Sequence, residues 1–202
     1  MLSESSNFSG KLLKEIPLFS FPDLTTLDLS SNFLTEVSGL SVLRVLRHLI
    51  LDDNLLSNDS IFPSLPSLET LSLTSNKIEN YAKFTSASLR RKCPNLIYLS
   101  LLKNPCCSIE FALSDSEEYQ IYRYIILLDL PRLEHLDALP VGKDEKENAK
   151  KWREESYTPL NAFQEKTDSP SATFGKQVYF YQGKQSEGNR FIKNDELWIT
   201  KE

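Results

Sequence analysis

A histidine and two carboxylates lie within six positions of one another in the stretch LRHLILDDNLL, residues 46–56. His48, Asp52 and Asp53 are of the types that bind metal ions or transfer protons in catalysis. Either chemistry needs further ligands, or a nucleophile, held close by the fold. The only other histidine is His135. Whether the two histidines can act together therefore depends on the elements that carry them.

The opening stretch is one copy of a repeated pattern, L-x-x-L-x-L-x-x-N-x-L. One copy precedes it, LTTLDLSSNFL (24–34), and two follow it, LETLSLTSNKI (68–78) and LIYLSLLKNPC (96–106), the last matching through its asparagine. A half copy, LEHLD, occupies 133–137. The asparagines of the full copies, at positions 32, 54, 76 and 104, are 22, 22 and 28 residues apart. This spacing is typical of leucine-rich repeats. The pattern predicts an α/β leucine-rich-repeat solenoid, with short parallel strands on the concave face and helices and coil on the convex face.

In each L-x-L centre the leucines point inward and the residues between them point outward. We expect two stacked ladders of buried leucines, made of Leu27, Leu49, Leu71, Leu99 and Leu136, and of Leu29, Leu51, Leu73 and Leu101. The resemblance to leucine-rich repeats implies that each asparagine bonds backbone groups that burial would otherwise leave unpaired. Each such group would cost ~1–3 kcal/mol.

This register places the histidine and both aspartates of the opening stretch at outward positions. His135 falls three strands away on the same face, and Asp28 and Asp137 add carboxylates on separate strands. The spacing predicts a solvated strand face and no metal site. The sequence has no Ser-His-Asp or Cys-His arrangement and no glycine-rich phosphate loop. We therefore expect no enzyme, no metal and no cofactor.

Composition limits the compartment and the class of partner. A net charge of −5 and a pI near 5.2 argue against a general affinity for nucleic acid or anionic lipid. The three cysteines, Cys93, Cys106 and Cys107, include an adjacent pair, which indicates reduced and inert thiols. The start shows no secretory signal, and the longest apolar run (124–130) is too short to span a bilayer. We expect a cytoplasmic protein that binds no nucleic acid directly and meets membranes only through its partners.

The chain divides into six segments by composition. Residues 1–23 are a cap or degenerate repeat, whose apolar residues shield the open end of the ladder; these are Leu12, Leu13, Ile16, Phe19 and Phe21. Repeats cover 24–114, with a convex helix inside FTSASLRRKCPNL (84–96) that carries the basic cluster 90–92 as a solvated helix end. A terminal cap covers 115–142, in which the apolar spacing of DSEEYQIYRYIILLD (115–129) predicts a helix that ends before Leu130-Pro131. A charged helix with Trp152 as its anchor covers 143–156. A linker (157–175) leads to an aromatic tail (176–202) with hairpin-like patterning.

Two sets of residues are predicted to bind partner proteins. On the concave face, Ile50, Tyr98 and Leu102 are expected close together, as an apolar cluster of the kind that marks an interaction surface. The full concave set is Thr26, His48, Ile50, Thr70, Ser72, Tyr98, Ser100, Leu102 and His135. The tail set is Tyr179, Tyr181, Gly183, Glu187, Gly188, Asn189, Arg190, Phe191 and Leu197.

The repeats, YRYIILLDLPRLEHLDA (122–138), YTPL (157–160), VYFYQGKQSEGNRFI (178–192) and the acidic NDEL that follows together resemble the leucine-rich melanocyte differentiation-associated protein family. The resemblance implies an adaptor in melanocyte differentiation and in the biogenesis and trafficking of endosomal and lysosome-related organelles such as melanosomes. It implies a Rab-family small GTPase and a retriever-type recycling complex as partners, with recruitment to endosomes or melanosomes. The repeats alone are also similar to intracellular proteins of the spliceosome and the axoneme. A structural component of a ribonucleoprotein or axonemal complex is thus the alternative function.

Overall fold

The computed structural model describes residues 4–17 and 23–156. Seven strands form one sheet whose spatial order follows the chain, as repeats stacked one after another require. The strands are β1 (Glu4–Asn7), β2 (Leu24–Asp28), β3 (His48–Ile50), β4 (Thr70–Ser72), β5 (Tyr98–Ser100), β6 (His135–Leu136) and β7 (Leu139–Pro140). Strands β1 to β6 are parallel, and β7 pairs antiparallel with β6.

The strand register stacks equivalent leucines directly on one another. Leu27 pairs with Leu49, which pairs with Leu71, and the series continues through Leu99 to Leu136. All five are fully buried, as are the four leucines of the second predicted ladder. No single repeat buries its own leucines, so the stack as a whole provides the hydrophobic core. The predicted leucine-rich-repeat fold is confirmed.

A ladder of asparagines supports the turn that follows each strand. Every repeat asparagine is buried and makes four hydrogen bonds to backbone, in the same pattern. In Asn54 the carboxamide oxygen accepts a bond of 3.0 Å from Leu34 N. Its Nδ2 donates to the carbonyls of Leu29, Leu51 and Asp52 at 3.0–3.1 Å. One amide thus satisfies backbone groups of two neighbouring coils, which is the role that the family resemblance implied.

The N-terminal segment adds a strand to the sheet. Strand β1 lies inside the range 1–23 and pairs in parallel with β2. Leu13 and Ile16 pack against the core. Leu12, which we expected to shield the ladder, is instead 69% exposed, because the backbone at this residue is left-handed (φ 59°) and places its neighbour Leu13 toward the core. Phe19 and Phe21 lie outside the described residues.

Short helices cover the side of the coils opposite the sheet. They comprise a 3-10 turn (Ser38–Val42), α1 (Tyr81–Phe84) with a π-helical continuation (Thr85–Leu89), α2 (Ile109–Ala112) and α3 (Glu117–Asp129). The helix expected within 84–96 thus begins earlier, at Tyr81, because the Asn80 side chain accepts a bond from Lys83 N and caps it. Ser116 caps α3 in the same way.

The last helix, α4 (Lys143–Ser156), spans the range of the predicted charged helix and packs on α3. Its contact side is small: Ala149 is buried, and the Trp152 ring lies 6.2 Å from that of Tyr124. The remaining positions are mostly charged and exposed. The helix is held by a few specific contacts and not by a broad apolar face.

Candidate interaction surface

The solvent side of the sheet, here called the concave face, consists of three rows of side chains that run across the strands. The strand register aligns Thr26, His48, Thr70, Tyr98 and His135 in the first row. It aligns Asp28, Ile50, Ser72 and Ser100 in the second. The residues two positions further along each chain segment form the third, namely Ser30, Asp52, Thr74 and Leu102. The predicted concave set therefore lies on one face of the protein.

Access to these side chains is uneven. His48 and His135 are exposed, while Ile50, Tyr98 and most other members are half-buried. Ser100 is only 2% exposed and donates to or accepts from Thr74 Oγ1 at 3.0 Å, so its prediction as a partner-binding residue is wrong. Leu102 is half-buried and packs in part against the core. The surface offered to a partner is therefore narrower than the sequence indicated.

The two histidines do not form a site. Strands β4 and β5 separate His48 from His135. His48 Nδ1 lies 3.0 Å from Thr70 Oγ1, whereas the His135 ring lies 6.4 Å from that of Tyr98. Among residues 4–17 and 23–156, no three His, Cys, Asp or Glu side chains are grouped so that they could hold a metal ion. The geometry offers hydrogen bonding and aromatic contact to a partner.

The aspartates of the concave face are held in place by neighbouring coils. Asp52 Oδ1 accepts bonds from Ser72 Oγ at 2.6 Å and from Thr74 N at 2.8 Å. Asp28 Oδ1 accepts from both the amide and the hydroxyl of Ser30, at 2.9 and 2.7 Å. Charge-assisted bonds of this kind fix a carboxylate in one orientation. These side chains make the face rigid, so little conformational entropy remains to be lost when a partner binds.

We expected Asp137 to add a carboxylate to the concave face, but its side chain is buried instead. It is 2% exposed, and its Oδ1 accepts a 2.7 Å bond from Leu101 N. In the preceding coils the equivalent amide donates to a carbonyl of the next strand, as Leu73 N does to Ser100 O. After β6 the chain reverses at Asp137 (φ 57°), so the side chain takes the place of that missing carbonyl. Tyr122 Oη donates to the other oxygen at 2.8 Å, which ties α3 to the end of the sheet.

Burial shapes the acid–base properties of this end of the protein. Burial raises the pKa of the Asp137 carboxyl, although the bonds from Leu101 N and Tyr122 lower it in part. Burial, helped by the nearby Asp137 charge, also raises the pKa of Cys107 to about 12. The thiols of Cys93 and Cys106 likewise have a pKa of about 12, chiefly because they are buried. Few thiolates form at neutral pH, which agrees with the expectation of inert cysteines.

An ion pair that sequence reasoning missed joins α3 to α4. Arg123 is 94% buried in α3, and its guanidinium donates to both Glu145 carboxylate oxygens, with Nη2–Oε2 at 3.0 Å. It also donates to the carbonyls of Leu136 and Pro140. Glu145 further accepts a bond from Gly142 N at the start of α4. The spacing of 22 residues gives no periodic signal, so no pattern in the sequence could identify this pair.

The predicted tail residues, Tyr179 to Leu197, lie outside the described residues. Within the described ranges no helix combines the length and the apolar character that crossing a bilayer requires.

Comparison with known proteins gives matches over most of the chain. A family model for the leucine-rich repeat matches residues 19–158. The human leucine-rich melanocyte differentiation-associated protein is 38% identical over 183 aligned residues, which cover 80% of this chain and 92% of the human protein. The U2 small nuclear ribonucleoprotein A' of Mycosarcoma maydis is 32% identical over 126 residues, covering 61% of this chain and 46% of that protein.

Among solved structures, the SNF/U2A' complex of Drosophila melanogaster contains a similar chain. The two superpose with a TM-score of 0.57 at 22% identity, and the match covers 73% of this chain and 79% of that one. At this level of identity the likeness shows a shared leucine-rich-repeat fold and nothing about ligands.

Proposed function

Because this chain belongs to the leucine-rich melanocyte differentiation-associated protein family of leucine-rich-repeat proteins, we propose that it is a non-catalytic adaptor that binds other proteins through its concave face. The leucine-rich-repeat fold and the named relative suggest a protein-interaction role. The observation that carries the proposal is the position of Tyr98, half-buried in the first row beside the exposed His135 ring. Ile50 and Leu102 give the same face partly exposed apolar side chains.

Such an arrangement suits protein recognition for a physical reason. Tyrosine offers a large apolar ring and one hydroxyl while losing few rotamers on binding, so it often contributes much of the affinity of an interface. The strands on either side hold Tyr98 through the paired backbones of Thr70 and His135. A partner that covers this row would find the ring already oriented. The polar rows around it would supply the rim that excludes water.

We also propose a specific cellular role for this binding activity. The name of the human relative, together with its coverage of 92%, supports a part in melanocyte differentiation. We extend this to trafficking of endosomes and lysosome-related organelles such as melanosomes, from a cytoplasmic pool recruited to those membranes. A Rab-family GTPase and a retriever-type complex are the proposed partners. One would occupy the concave face and the other the tail residues 176–202.

The test is affinity purification from pigment cells with the full chain, Tyr98→Ala and a chain that lacks residues 176–202, read by mass spectrometry. Tyr98→Ala should lower the affinity for one partner by ~1–3 kcal/mol without changing the melting temperature. The tail deletion should remove a different partner. Phe33→Ala is the matched control, because this aromatic residue is 47% exposed but lies outside the three concave rows. Loss of the partner with Phe33→Ala and not with Tyr98→Ala would exclude the concave face.

A second function has one observation in its favour. The U2 small nuclear ribonucleoprotein A' of Mycosarcoma maydis matches 61% of this chain at 32% identity. We therefore keep a structural role in a ribonucleoprotein as the alternative. It predicts that RNA and RNA-binding proteins co-purify with the chain and leave it as salt rises. Recovery of trafficking proteins without RNA would decide against this alternative.

A further inference from the structure

Three segments that are remote in sequence meet at the last turn of α3. Arg90, at the end of the π-helical segment, places its Nη1 3.5 Å from Asp129 Oδ1 in that turn. On α4, Lys150 and Arg153 line a shallow depression together with Leu128. Arg132 follows three residues after α3 ends and donates a 2.5 Å bond to Asn95 Oδ1. Cations from the π-helical segment, from α4 and from the loop after α3 therefore lie around the C-terminal end of α3.

We call this surface the basic edge and define it as Arg90, Arg91, Lys92, Arg132, Lys150 and Arg153. Within the part of the chain that the structure describes, only Arg90 of these six has a carboxylate within salt-bridge distance. The others leave their charges to solvent, apart from the bond of Arg132 to Asn95. Two carboxylates contact these cations or line the depression with them, namely Asp129, which pairs with Arg90, and Glu154. The six cations outnumber these two carboxylates, on a chain whose net charge is −5.

Support of the helix end does not account for so many cations. One cation near a helix C-terminus compensates the partial negative charge of its free carbonyls, and that effect fades within a turn. Arg90 already lies at the C-terminal end of α3, where it pairs with Asp129. The five cations without a carboxylate partner repel one another, and an anionic partner would relieve that repulsion. The arrangement is therefore better explained by binding than by folding.

We propose that the basic edge docks on an anionic lipid surface. The charges spread over three segments around an open depression, which suits a flat array of headgroups. An acidic peptide would instead need a groove that fixes its carboxylates. Trp152, half-buried against Tyr124 and flanked by Lys151 and Arg153, adds the kind of ring that settles at a membrane–water interface. Binding of single-stranded nucleic acid relies on several stacking rings, and the described part of this edge carries only that one.

This docking would leave the concave face free. The basic edge belongs to α3, α4 and the convex loops, whereas Tyr98 and Ile50 project from the strands. Membrane contact and partner binding would then occur at the same time. The inference goes beyond our expectation that membranes are met only through partners. It does not depend on which protein the concave face binds.

The test is co-sedimentation of the full chain with vesicles of phosphatidylcholine alone or with about 30% phosphatidylserine, at about 0.1 M salt. We expect binding only to the anionic vesicles, with release at about 0.5 M salt because screening shortens the reach of the charges. Lys150→Gln with Arg153→Gln should lower the partition coefficient roughly 30-fold, at roughly five-fold for each cation removed. The control pair, Arg44→Gln with Lys77→Gln, removes two exposed cations elsewhere and should leave binding within about two-fold of the wild type.

Three results would overturn the proposal. One is equal binding to neutral and anionic vesicles, and another is an equal loss with the control pair. The third is tighter binding to single-stranded RNA or to a polyglutamate peptide than to anionic vesicles, since the edge would then serve another polyanion. Circular dichroism melting of each variant checks that the fold is retained. The concave-face test measures capture of partner proteins with Tyr98→Ala, and this test measures vesicle binding with Lys150→Gln and Arg153→Gln. Failure of one therefore leaves the result of the other intact.

Discussion

The repeat body and the C-terminal cap both satisfy the polar groups that they bury, but they do so with different side chains. In the body, four asparagines make the same four backbone bonds in four successive coils. In the cap, the buried Asp137 takes the place of a missing strand carbonyl, and the ion pair of Arg123 with Glu145 fixes the next helix. Both devices satisfy polar groups that the stack buries.

The difference lies in charge. A carboxamide is neutral at every pH, so the bonds of the asparagine ladder do not change as carboxyl groups titrate. The cap depends on a buried carboxylate and on a buried guanidinium, and both carry the cost of removing charge from water. The stabilisation that the asparagine ladder provides should therefore not vary with pH, whereas the stabilisation that the cap provides should vary. The substitutions below, with their controls, test this contrast.

The largest effect is expected from Asn76→Ala in the middle of the body. Asn76 accepts a bond from Leu56 N and donates to three carbonyls, and water cannot replace these bonds at a site only 3% exposed. We expect the free energy of unfolding in urea to fall by ~3–5 kcal/mol, since several buried groups lose their partners together.

Asn58→Ala is the matched control for this substitution. Asn58 also bonds backbone on a neighbouring coil, accepting from Glu79 N at 2.8 Å and donating to Asn80 O, but these bonds are exposed to solvent. Its loss should cost ~1 kcal/mol or less, because water replaces the lost partner. Equal costs for the two variants would mean that burial is not what gives the ladder its strength.

The repeat body could be predicted from the sequence because its buried leucines and asparagines recur at fixed positions. Leu49 and Asn54 have equivalents at the same place in each of the four full repeats, so the period alone identified both the buried column and its turns. The predicted concave rows followed from the same register. Ser100 was the exception: it is 2% exposed, and its hydroxyl bonds to that of Thr74 in the neighbouring coil, a contact that no periodic pattern specifies.

The cap could be predicted only in outline. The apolar positions of DSEEYQIYRYIILLD (115–129) indicated a helix, and the Leu-Pro pair that follows indicated its end. The buried roles of Arg123 and Asp137 were missed, because each acts once and its partners are 22 and 36 residues away in Glu145 and Leu101. A single long-range contact between polar residues leaves no trace in a hydrophobic pattern.

The second effect in size is expected from Glu145→Ala in the cap. Arg123 would keep its bonds to two carbonyls but lose the carboxylate that balances its buried charge. Removing one partner of a buried ion pair costs ~3–5 kcal/mol, and we expect ~2–3 here because the Glu145 side chain is 19% exposed. Hydrogen exchange should rise in residues 143–156 and change little in the body. Glu147→Ala, at an exposed position of the same helix, should leave exchange unaltered. Uniformly faster exchange throughout the chain would contradict a local role.

The smallest effect, and the most direct test of the contrast, is the pH dependence that Asp137 contributes. Burial raises the pKa of this carboxyl above its ordinary value of 3.8, so the folded state holds the proton to a higher pH than the unfolded state does. Its contribution to stability is therefore greatest below pH 3.8. It falls as pH rises through the folded-state pKa and is level above that. Asp137→Asn keeps an oxygen for Leu101 N and removes the titration. Between pH 3.8 and the raised pKa of the folded state, the wild type should thus lose stability relative to this variant by ~1.4 kcal/mol for every pH unit.

Tyr122→Phe sharpens that measurement. The Tyr122 hydroxyl donates to Asp137 and stabilises its charged form, so the pKa of the carboxyl should rise further once the hydroxyl is removed. The interval over which stability falls with pH should then extend to higher pH than in the wild type. Urea unfolding of the three proteins between about pH 3 and pH 7 gives both comparisons. If the wild type gained stability relative to Asp137→Asn as pH rose, the bonds from Leu101 and Tyr122 would outweigh burial, and the cap would owe its stability to the charge.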